Sequence, residues 1–292
     1  MKENEIRAGL YVVATPIGNL EDLSPRALRV LKNMDWIAAE DTRHSLRLCN
    51  EFGIEKPLYS LHEHSTPQKI QELVDRLRSG ETAAYVSDAG TPAVSDPGSK
   101  LVRAAQEAGI YISPIPGPSA ITALLSVAGI DATGFRFHGF FPREKKEREQ
   151  VYVRMISEAG AHIFYESPFR VKEVLQFLAH KNSNLRMIVG RELTKKFETL
   201  YVGTAEEVAS SFAAMEEVKG EIVCVLEFPE NDKDELKTAR KKPQDLLGDF
   251  QKMAALGANQ KLLLAVAESH GLKRSEVYDL ILEVLQKKGG QP

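Results

Sequence analysis

Cysteine is scarce in this chain of 292 residues, which contains only Cys49 and Cys224. The two lie far apart in sequence and without metal-ligand spacing, so the sequence predicts two buried thiols rather than a disulfide or a zinc site. Long apolar runs are also missing, and the first residues, Met1 to Arg7, are polar and charged. We therefore expect no membrane span and no export signal, and the cysteine usage fits a reducing cytoplasm.

Several well-known catalytic motifs are absent as well. The chain has no Gly-x-Gly-x-x-Gly, no Walker lysine and no Gly-x-Ser-x-Gly. These absences argue against a nicotinamide Rossmann enzyme, a P-loop nucleotidase and an α/β-hydrolase. The run His62-Glu63-His64 lacks a third ligand at helical spacing, so we expect no metal.

What the chain does have is a regular alternation of apolar strands and helical patterns. It predicts strands at 10–14, 36–40, 58–62 and 82–86 with helices at 25–32, 45–51 and 67–79 between them, which is typical of an α/β domain with a parallel sheet. A helix at 118–128, a charged segment at 142–150 and a helix at 168–179 accompany strands at 135–140, 163–166, 187–191, 199–202 and 222–228. This second α/β unit is expected to be more antiparallel.

The predicted domains are residues 1–117 and 118–229, followed by a charged linker at 230–243 and a helical unit at 244–292. In the last unit two amphipathic helices surround Gly271, as in a helix-turn-helix, although a helical pair docked on the body explains the pattern equally well. Net charge is −3, but residues 233–292 are mildly basic. This excess of basic residues is only a weak indication of nucleic-acid binding, since a charged face exposed to solvent is the commoner explanation.

Three strand-to-helix junctions share an unusual turn chemistry. The segment Ser87 to Gly98 holds two glycines, two prolines and two aspartates, and the segments Thr15 to Leu20 and Ile115 to Ala120 are rich in proline and glycine too. Ligands of open α/β sheets bind outside the carboxyl ends of the strands. The sequence therefore predicts that the three loops converge on one pocket, although each alone could be an ordinary surface loop.

Polar residues cluster after three further strands. Ala39 to Ser45, Phe164 to Arg170 and Arg191 to Glu198 mix acids and bases at strand ends. Such mixtures are typical of a cleft wall, while helix caps and an arginine-rich surface edge remain the alternatives.

Taken together, seven motifs resemble the ribosomal RNA small subunit methyltransferase I family, which has the tetrapyrrole methylase fold. The match spans roughly residues 10–228 and rests on motifs at 15–20, 39–43, 87–98, 116–120, 140–142, 165–168 and 191–195. The resemblance implies two α/β domains with S-adenosylmethionine in the cleft between them, and a homodimer. It also implies 2′-O-methylation of a cytidine in the decoding region of small-subunit rRNA, offered free or as an assembled 30S subunit.

By the same resemblance, eight residues are expected to bind the cofactor: Pro16, Gly18, Ala89, Gly90, Thr91, Ser119, Ala120 and Tyr165. Glycine and alanine let the backbone approach adenosine and the methionine moiety, and backbone N–H groups can meet the cofactor's carboxylate.

The residues that would carry methyl transfer are less sharply defined. Candidate bases are Asp41, Asp88, Glu166 and Glu192. Either Lys195 or Arg43 could hold phosphate or stabilise the developing alkoxide. Our hypothesis is that Asp88 and Glu192 flank the reacting hydroxyl. The residues expected to hold the RNA backbone are Arg43, Arg170 and Lys195.

Two rival functions share the fold. One is a small-molecule tetrapyrrole methylase. The charged segment 143–149 and the basic tail favour a polynucleotide substrate over this alternative. The other is a ribosome assembly factor that keeps the cofactor pocket without catalysis. RNA binding through lysine and arginine would weaken steeply with salt, whereas binding of a compact tetrapyrrole would respond less.

Overall fold

A computed structural model of the chain describes residues 6–94, 96–228, 243–255, 259–269 and 272–288. The chain divides into two compact units, one of residues 1–143 and 160–227 and one of residues 144–159 and 228–292. The predicted domain boundaries at 117 and 229 stay predictions. The predicted linker, apart from Pro243, lies outside the described residues, as do Ser95 and Gly271.

The first unit contains a parallel sheet of five strands in the order β3-β2-β4-β1-β5. Its strands are β1 (Gly9–Val13), β2 (Trp36–Ala39), β3 (Leu58–Ser60), β4 (Thr82–Val86) and β5 (Ile112–Ile115). The helices that follow them are α1 (Pro25–Asn33), α2 (Thr42–Glu51), α3 (Pro67–Arg78), α4 (Gly98–Glu107) and α5 (Ala120–Ala128). The predicted alternation is confirmed, because each parallel pair needs a crossover and a helix supplies it.

Local sequence explains where these helices begin. The hydroxyl of Ser24 accepts a hydrogen bond from the Ala27 N–H before Pro25, and Thr66 caps α3 in the same way. Helix α2 begins at Thr42 rather than Ser45, because Asp41 caps it by accepting from the Arg43 N–H. Helix α5 begins at Ala120, two residues after the predicted start, since Pro118 remains in the preceding loop.

The core of this sheet lies on both of its faces, as expected for parallel strands covered by helices. One face packs Val13, Ile37 and Val86 against α1, and the other packs Leu10, Trp36 and Tyr85 against α3 and α4. All six side chains are at most 2% exposed. This packing holds the strand ends in place, so the loops that follow them have defined positions.

A second sheet of five strands has the order β6-β7-β10-β8-β9. Its strands are β6 (Phe135–Phe140), β7 (Gly160–Glu166), β8 (Arg186–Arg191), β9 (Thr199–Thr204) and β10 (Ile222–Phe228). The β6 and β7 strands are parallel, while β8 is antiparallel to both β9 and β10, so the expected antiparallel character is confirmed. Helix α5 packs on this sheet through Ile121 and Leu124.

The remaining helices are α6 (Lys145–Ser157), α7 (Val171–Lys181) and α8 (Ala205–Ala213). The prediction of 142–150 as a charged segment was incomplete, because those charges form the first turns of α6. Helix α8 was missed although Thr204 and Glu207 form a capping box at its start.

The C-terminal part has three helices within its described residues: α9 (Leu247–Ala255), α10 (Gln260–Ser269) and α11 (Arg274–Lys288). Their shared core includes Phe250, Leu263, Val277 and Ile281. The two predicted amphipathic helices are confirmed as α10 and α11, and α9 is an addition. No helix among the described residues is long and apolar enough to cross a membrane.

Candidate active site

A cavity of about 470 Å³ opens between the two sheets of the first unit. The residues that line it come from both sheets and from the loops at their strand ends. They are Ile17, Glu40, Ser87, Asp88, Ala89, Gly90, Thr91, Val94, Asp96, Ser119, Ala120, Phe140, Tyr165, Glu166, Ser167, Pro168, Gly190, Leu193, Gly220, Glu221, Ile222 and Val223.

The three proline- and glycine-rich loops meet at this cavity, as predicted. Thr15 and Gly90 exchange backbone hydrogen bonds of 2.9 and 3.0 Å, and the Thr15 hydroxyl donates to the Ser87 carbonyl. The Thr91 hydroxyl donates to the Pro118 carbonyl at 3.0 Å. The first and second loops are thus joined mainly through their backbones, and the second and third loops are joined through the Thr91 hydroxyl.

Two glycines make this convergence possible. Gly90 has φ +80°, and a Cβ there would lie 3.3 Å from Ile17 Cγ2. A Cβ on Gly117 would lie 2.9 Å from the Cβ of Ala14, so no larger residue fits between the first and third loops. The glycines act here by permitting close approach of backbone to backbone.

Carboxylates form the wall of the cavity on the side of the first sheet. Asp88 accepts a hydrogen bond from the Asp41 N–H at 3.0 Å. Asp96 accepts from the Tyr85 hydroxyl at 2.9 Å and from the Gly98 N–H at 2.8 Å. Burial, followed by repulsion from Asp88 and Asp96, raises the pKa of Glu40. This wall therefore favours a cationic group.

Aromatic rings form the opposite wall, on the side of the second sheet. The Tyr165 ring meets Phe137 and Phe140 edge to face, with centroids 4.9 and 5.8 Å apart. Burial, together with the Glu221 carboxylate, raises the pKa of the Tyr165 phenol. Tyr165 therefore enters the cavity as a neutral, rigid surface.

A buried ion pair holds together the two segments that carry the aromatic wall. Glu166, whose side chain is fully buried, accepts from Arg170 Nε at 2.9 Å, from Arg170 Nη2 at 2.6 Å and from the Ser167 N–H. Arg170 Nη2 also donates to the Phe141 carbonyl at 2.9 Å. The pair fixes the end of β7 to the segment that follows β6.

A second set of ion pairs orders the turn after β8. Lys195 Nζ lies 2.8 Å from Glu192 Oε1 and 3.2 Å from Glu221 Oε2. Although burial opposes ionisation of Glu192, the Lys195 ammonium and the Glu221 N–H lower its pKa. Glu192 and Thr194 have φ values of +53° and +66°, a conformation that costs energy in residues other than glycine. The ion pairs and the hydrogen bonds around them hold this strained turn in place.

The structure brings several predicted site residues together in the cavity and leaves others outside it. Those that line it are Asp88, Ala89, Gly90, Thr91, Ser119, Ala120, Tyr165 and Glu166. Within the described part of the chain, the predicted residues not among its lining are Pro16, Gly18, Asp41, Arg43, Arg170, Glu192 and Lys195. All of these assignments stay predictions.

The positions of the outlying residues have clear structural reasons. Asp41 and Arg43 pair at the surface, with Arg43 Nη2 2.6 Å from Asp41 Oδ2. A Cβ on Gly18 would lie 2.3 Å from Lys195 Cγ, so this glycine lets the first loop pack on the turn after β8. Gly18 thus acts by letting these two segments pack together outside the cavity lining.

Three carboxylates that line the cavity were not among the predicted site residues. Glu40 is the residue directly before Asp41, Asp96 lies in the long second loop, and Glu221 directly precedes β10. Strand alternation is the signal that could have found Glu40, because adjacent residues at a strand end face opposite sides. Among the described residues, no group of three or more His, Cys, Asp or Glu could hold a metal ion.

Comparison with known proteins decides the family of this chain. Residues 9–209 match the model of the tetrapyrrole (corrin/porphyrin) methylases. Ribosomal RNA small subunit methyltransferase I of Haemophilus influenzae is 39% identical over 285 residues, covering 95% of this chain and 98% of the relative. The Xylella fastidiosa protein of that name is 47% identical over 220 residues, covering 75% of this chain and 81% of the relative. The chain belongs to the ribosomal RNA small subunit methyltransferase I family.

Solved structures agree on the fold of this methyltransferase. Diphthine synthase superposes with a TM-score of 0.59 at 16% identity, covering 77% of this chain and 93% of its own. Uroporphyrin-III-C-methyltransferase from Thermus thermophilus gives a TM-score of 0.52 at 18% identity, covering 76% of this chain and 94% of its own. At such identities the likeness concerns the fold alone, and the predicted tetrapyrrole methylase fold is confirmed.

The cofactor of this methyltransferase is S-adenosylmethionine, and the cavity fits it. A volume of about 470 Å³ suits a ligand of nucleoside size. Ile17, Leu193 and Val223 supply an apolar surface for an adenine ring. The hydroxyls of Ser87 and Thr91 donate to backbone carbonyls, and their oxygens can accept hydrogen bonds from polar groups of the ligand. The half-buried carboxylates of the first-sheet wall complement an ammonium or sulfonium charge.

Proposed function

We propose that this protein methylates the ribose 2′-hydroxyl of a cytidine in the decoding region of small-subunit rRNA, with S-adenosylmethionine as methyl donor. The observation that supports the proposal is the match to a relative named ribosomal RNA small subunit methyltransferase I, which extends over 95% of the chain. The cavity residues supplied by the three loops lie within that match. We further propose that the enzyme is a cytoplasmic homodimer.

The cofactor supplies an electrophilic methyl group. Ala89, Gly90, Thr91 and the start of α5 at Ser119 and Ala120 would hold it, with Tyr165 on the opposite wall. The apolar residues of the second-sheet side exclude water, so that the reacting groups are positioned in a site of low dielectric. Positioning is expected to supply most of the acceleration.

Among the acids considered as the base, Asp88 has the best placement. Its carboxylate lines the cavity and accepts a hydrogen bond from the Asp41 backbone N–H. Asp41 is engaged by Arg43, Glu166 by Arg170 and Glu192 by Lys195. In this proposal the proton of the 2′-hydroxyl passes to an oxygen of Asp88, while Lys195, Arg43 and Arg170 interact with the RNA backbone.

The test is transfer of labelled methyl from S-adenosylmethionine to small-subunit rRNA, offered naked and as assembled 30S subunits, followed by mapping of the modified nucleotide. Label on one cytidine 2′-oxygen is the expected result, and the preferred form identifies the substrate. Label on a tetrapyrrole instead, or cofactor binding without transfer to either RNA form, would contradict the proposal.

The variant Asp88→Asn tests the base. Loss of a general base is expected to lower kcat, measured at saturating cofactor, by roughly 10²–10⁴-fold. Asp75→Asn serves as the matched control, because that carboxylate pairs with Arg78 at the surface of α3 and is not among the cavity lining in the described chain. Unchanged turnover in Asp88→Asn would remove this residue from the mechanism.

A further inference from the structure

Phe169 is the most exposed of the large hydrophobic side chains in the described part of the chain. Its ring is 91% exposed, although Ser167 and Pro168 directly before it line the cavity. An aromatic side chain is normally buried on folding. A ring held almost entirely in water at the edge of an active-site cavity is therefore an unusual feature that the mechanism above does not use.

The backbone that carries Phe169 is fixed. The N–H groups of Arg170 and Val171 both donate to the Ser167 carbonyl, at 3.2 and 3.0 Å. The Arg170 side chain is bound on one side by Glu166 and on the other by the Phe141 carbonyl. The exposure of Phe169 thus belongs to an ordered turn rather than to a loose end.

A second exposed ring belongs to a residue that itself lines the cavity. Phe140 is 60% exposed, lines the cavity and meets Tyr165 edge to face. The residue after it, Phe141, is joined to Arg170 by the 2.9 Å hydrogen bond, which brings the two phenylalanine-bearing segments together. We call Phe140 and Phe169 the aromatic rim.

The surroundings of the aromatic rim are charged and polar rather than apolar, and they include two arginines. Arg143 is exposed three residues after Phe140, Arg170 follows Phe169, and Ser167 lies between Glu166 and Pro168. A protein partner is usually met by a continuous apolar patch, whereas single-stranded nucleic acid is met by separate aromatic rings beside cations. The chemistry favours an unpaired nucleobase with its phosphate.

We propose that the aromatic rim is a stacking platform for an unpaired nucleobase of the RNA substrate, next to the nucleotide that enters the cavity. This inference rests on the proposed function. Phe169 offers the exposed face, Phe140 borders the entrance, and Arg143 is available to the phosphate. Because every base has a π face, the platform aids affinity and positioning without selecting one base.

The test compares Phe169→Ala, Phe169→Leu and Phe169→Trp with the wild-type protein in methyl transfer to small-subunit rRNA. We expect Phe169→Ala to lower kcat/KM about tenfold, mainly by raising KM, with the affinity for S-adenosylmethionine unchanged. Phe169→Leu should show a similar loss, whereas Phe169→Trp should retain the activity of the wild-type protein. Phe135→Ala is the control, since Phe135 is also exposed but lies at the other end of β6.

The tryptophan variant also gives a direct optical readout. The native chain has one tryptophan, Trp36, which is fully buried in the first sheet. In Phe169→Trp, stacking of a base should quench the new exposed fluorescence when a short single-stranded RNA is added. The same RNA should leave the wild-type emission unchanged.

The outcomes separate this inference from the proposed function. If the wild-type enzyme labels rRNA and Phe169→Ala does so equally well, the platform is refuted and the function stands. Full rescue by leucine would refute stacking in favour of a simple apolar contact, and a changed sedimentation coefficient of Phe169→Ala would assign the rim to a second copy of the chain. If the wild-type enzyme labels no rRNA, the function fails, and the fluorescence titration alone decides on the platform.

Discussion

The first-sheet wall of the cavity is made of loop backbone and carboxylates, whereas the second-sheet wall is made of aromatic rings supported by ion pairs. The first wall follows parallel strands whose ends are fixed by a core on both faces. The second wall contains the ends of mixed strands and depends on specific side-chain pairs such as Glu166 with Arg170.

This difference suggests a division of labour. Backbone groups at the ends of parallel strands form a site of constant shape, which suits a cofactor that is the same in every turnover. Side chains on the other wall can change without disturbing the first sheet, which suits the recognition of a particular substrate. The two walls should therefore respond differently to substitution.

The largest effect is expected on the second-sheet wall from Glu166→Gln. Removing this charge leaves Arg170 without its partner, and breaking a buried ion pair typically costs about 3–5 kcal/mol of unfolding free energy. Since the Arg170 side chain is 21% exposed, we expect about 3 kcal/mol by denaturant titration. Asp75→Asn, in the exposed pair with Arg78, is the control and should cost less than about 1 kcal/mol. Equal losses would show that the second wall does not depend on its ion pair.

On the first-sheet wall, Glu40→Gln should weaken S-adenosylmethionine binding by on the order of tenfold, since it removes a charge from the side that faces the cation. The raised pKa of Glu40 means that folding favours its protonated form more than the unfolded chain does. Its contribution to stability is thus present at low pH and lost as pH rises through the raised pKa. At neutral pH, where the carboxylate is ionised, the variant should therefore be more stable than the wild type in denaturant titration.

The affinity for the cofactor should also depend on pH through the Glu40 carboxylate. In the wild type, affinity for the cofactor should fall as pH decreases through the raised pKa of Glu40, because the carboxylate becomes neutral. Calorimetric titrations between pH 4 and 8 should show this acid limb reduced in Glu40→Gln. An identical limb in both proteins would show that Glu40 does not control cofactor binding in this pH range.

A smaller effect is expected from the Thr91 side chain, which joins two loops of the first-sheet wall. Thr91→Val removes the hydrogen bond to the Pro118 carbonyl and should cost about 1 kcal/mol, together with a severalfold weaker cofactor affinity. Ser126→Ala is a suitable control, because that hydroxyl donates only within α5, to the Ala123 carbonyl. If both variants bind the cofactor equally well, the loop connection is dispensable for binding.

The smallest effect is expected at the surface beside the cavity. Arg43 is 87% exposed in its side chain and pairs with Asp41, so Arg43→Ala should leave thermal stability unchanged. If Arg43 contacts a phosphate, the slope of log KM for RNA against log salt should decrease by about one. Arg78→Ala, on α3, should not change the slope, and an equal change in both would point to a general effect of net charge.

Local chemistry made much of this architecture predictable. Pro25 after Ser24 and Pro67 after Thr66 mark helix starts from short-range rules, and the structure places both there. The prediction that three loops converge succeeded because the carboxyl ends of parallel strands share one edge. Helix α6 was harder to foresee because it is highly charged, whereas α8 was missed although its capping box is a local signal.

Long-range contacts decided the rest. The sequence by itself determined the strand and helix alternation, the turn chemistry of the three loops and the family, because these depend on local conformation and on motif order. Only the tertiary structure decided that Glu40 rather than Asp41 lines the cavity, that Gly18 accommodates Lys195 and that Phe169 remains exposed. Such outcomes depend on which distant side chains meet in space, and no spacing along the chain specifies that.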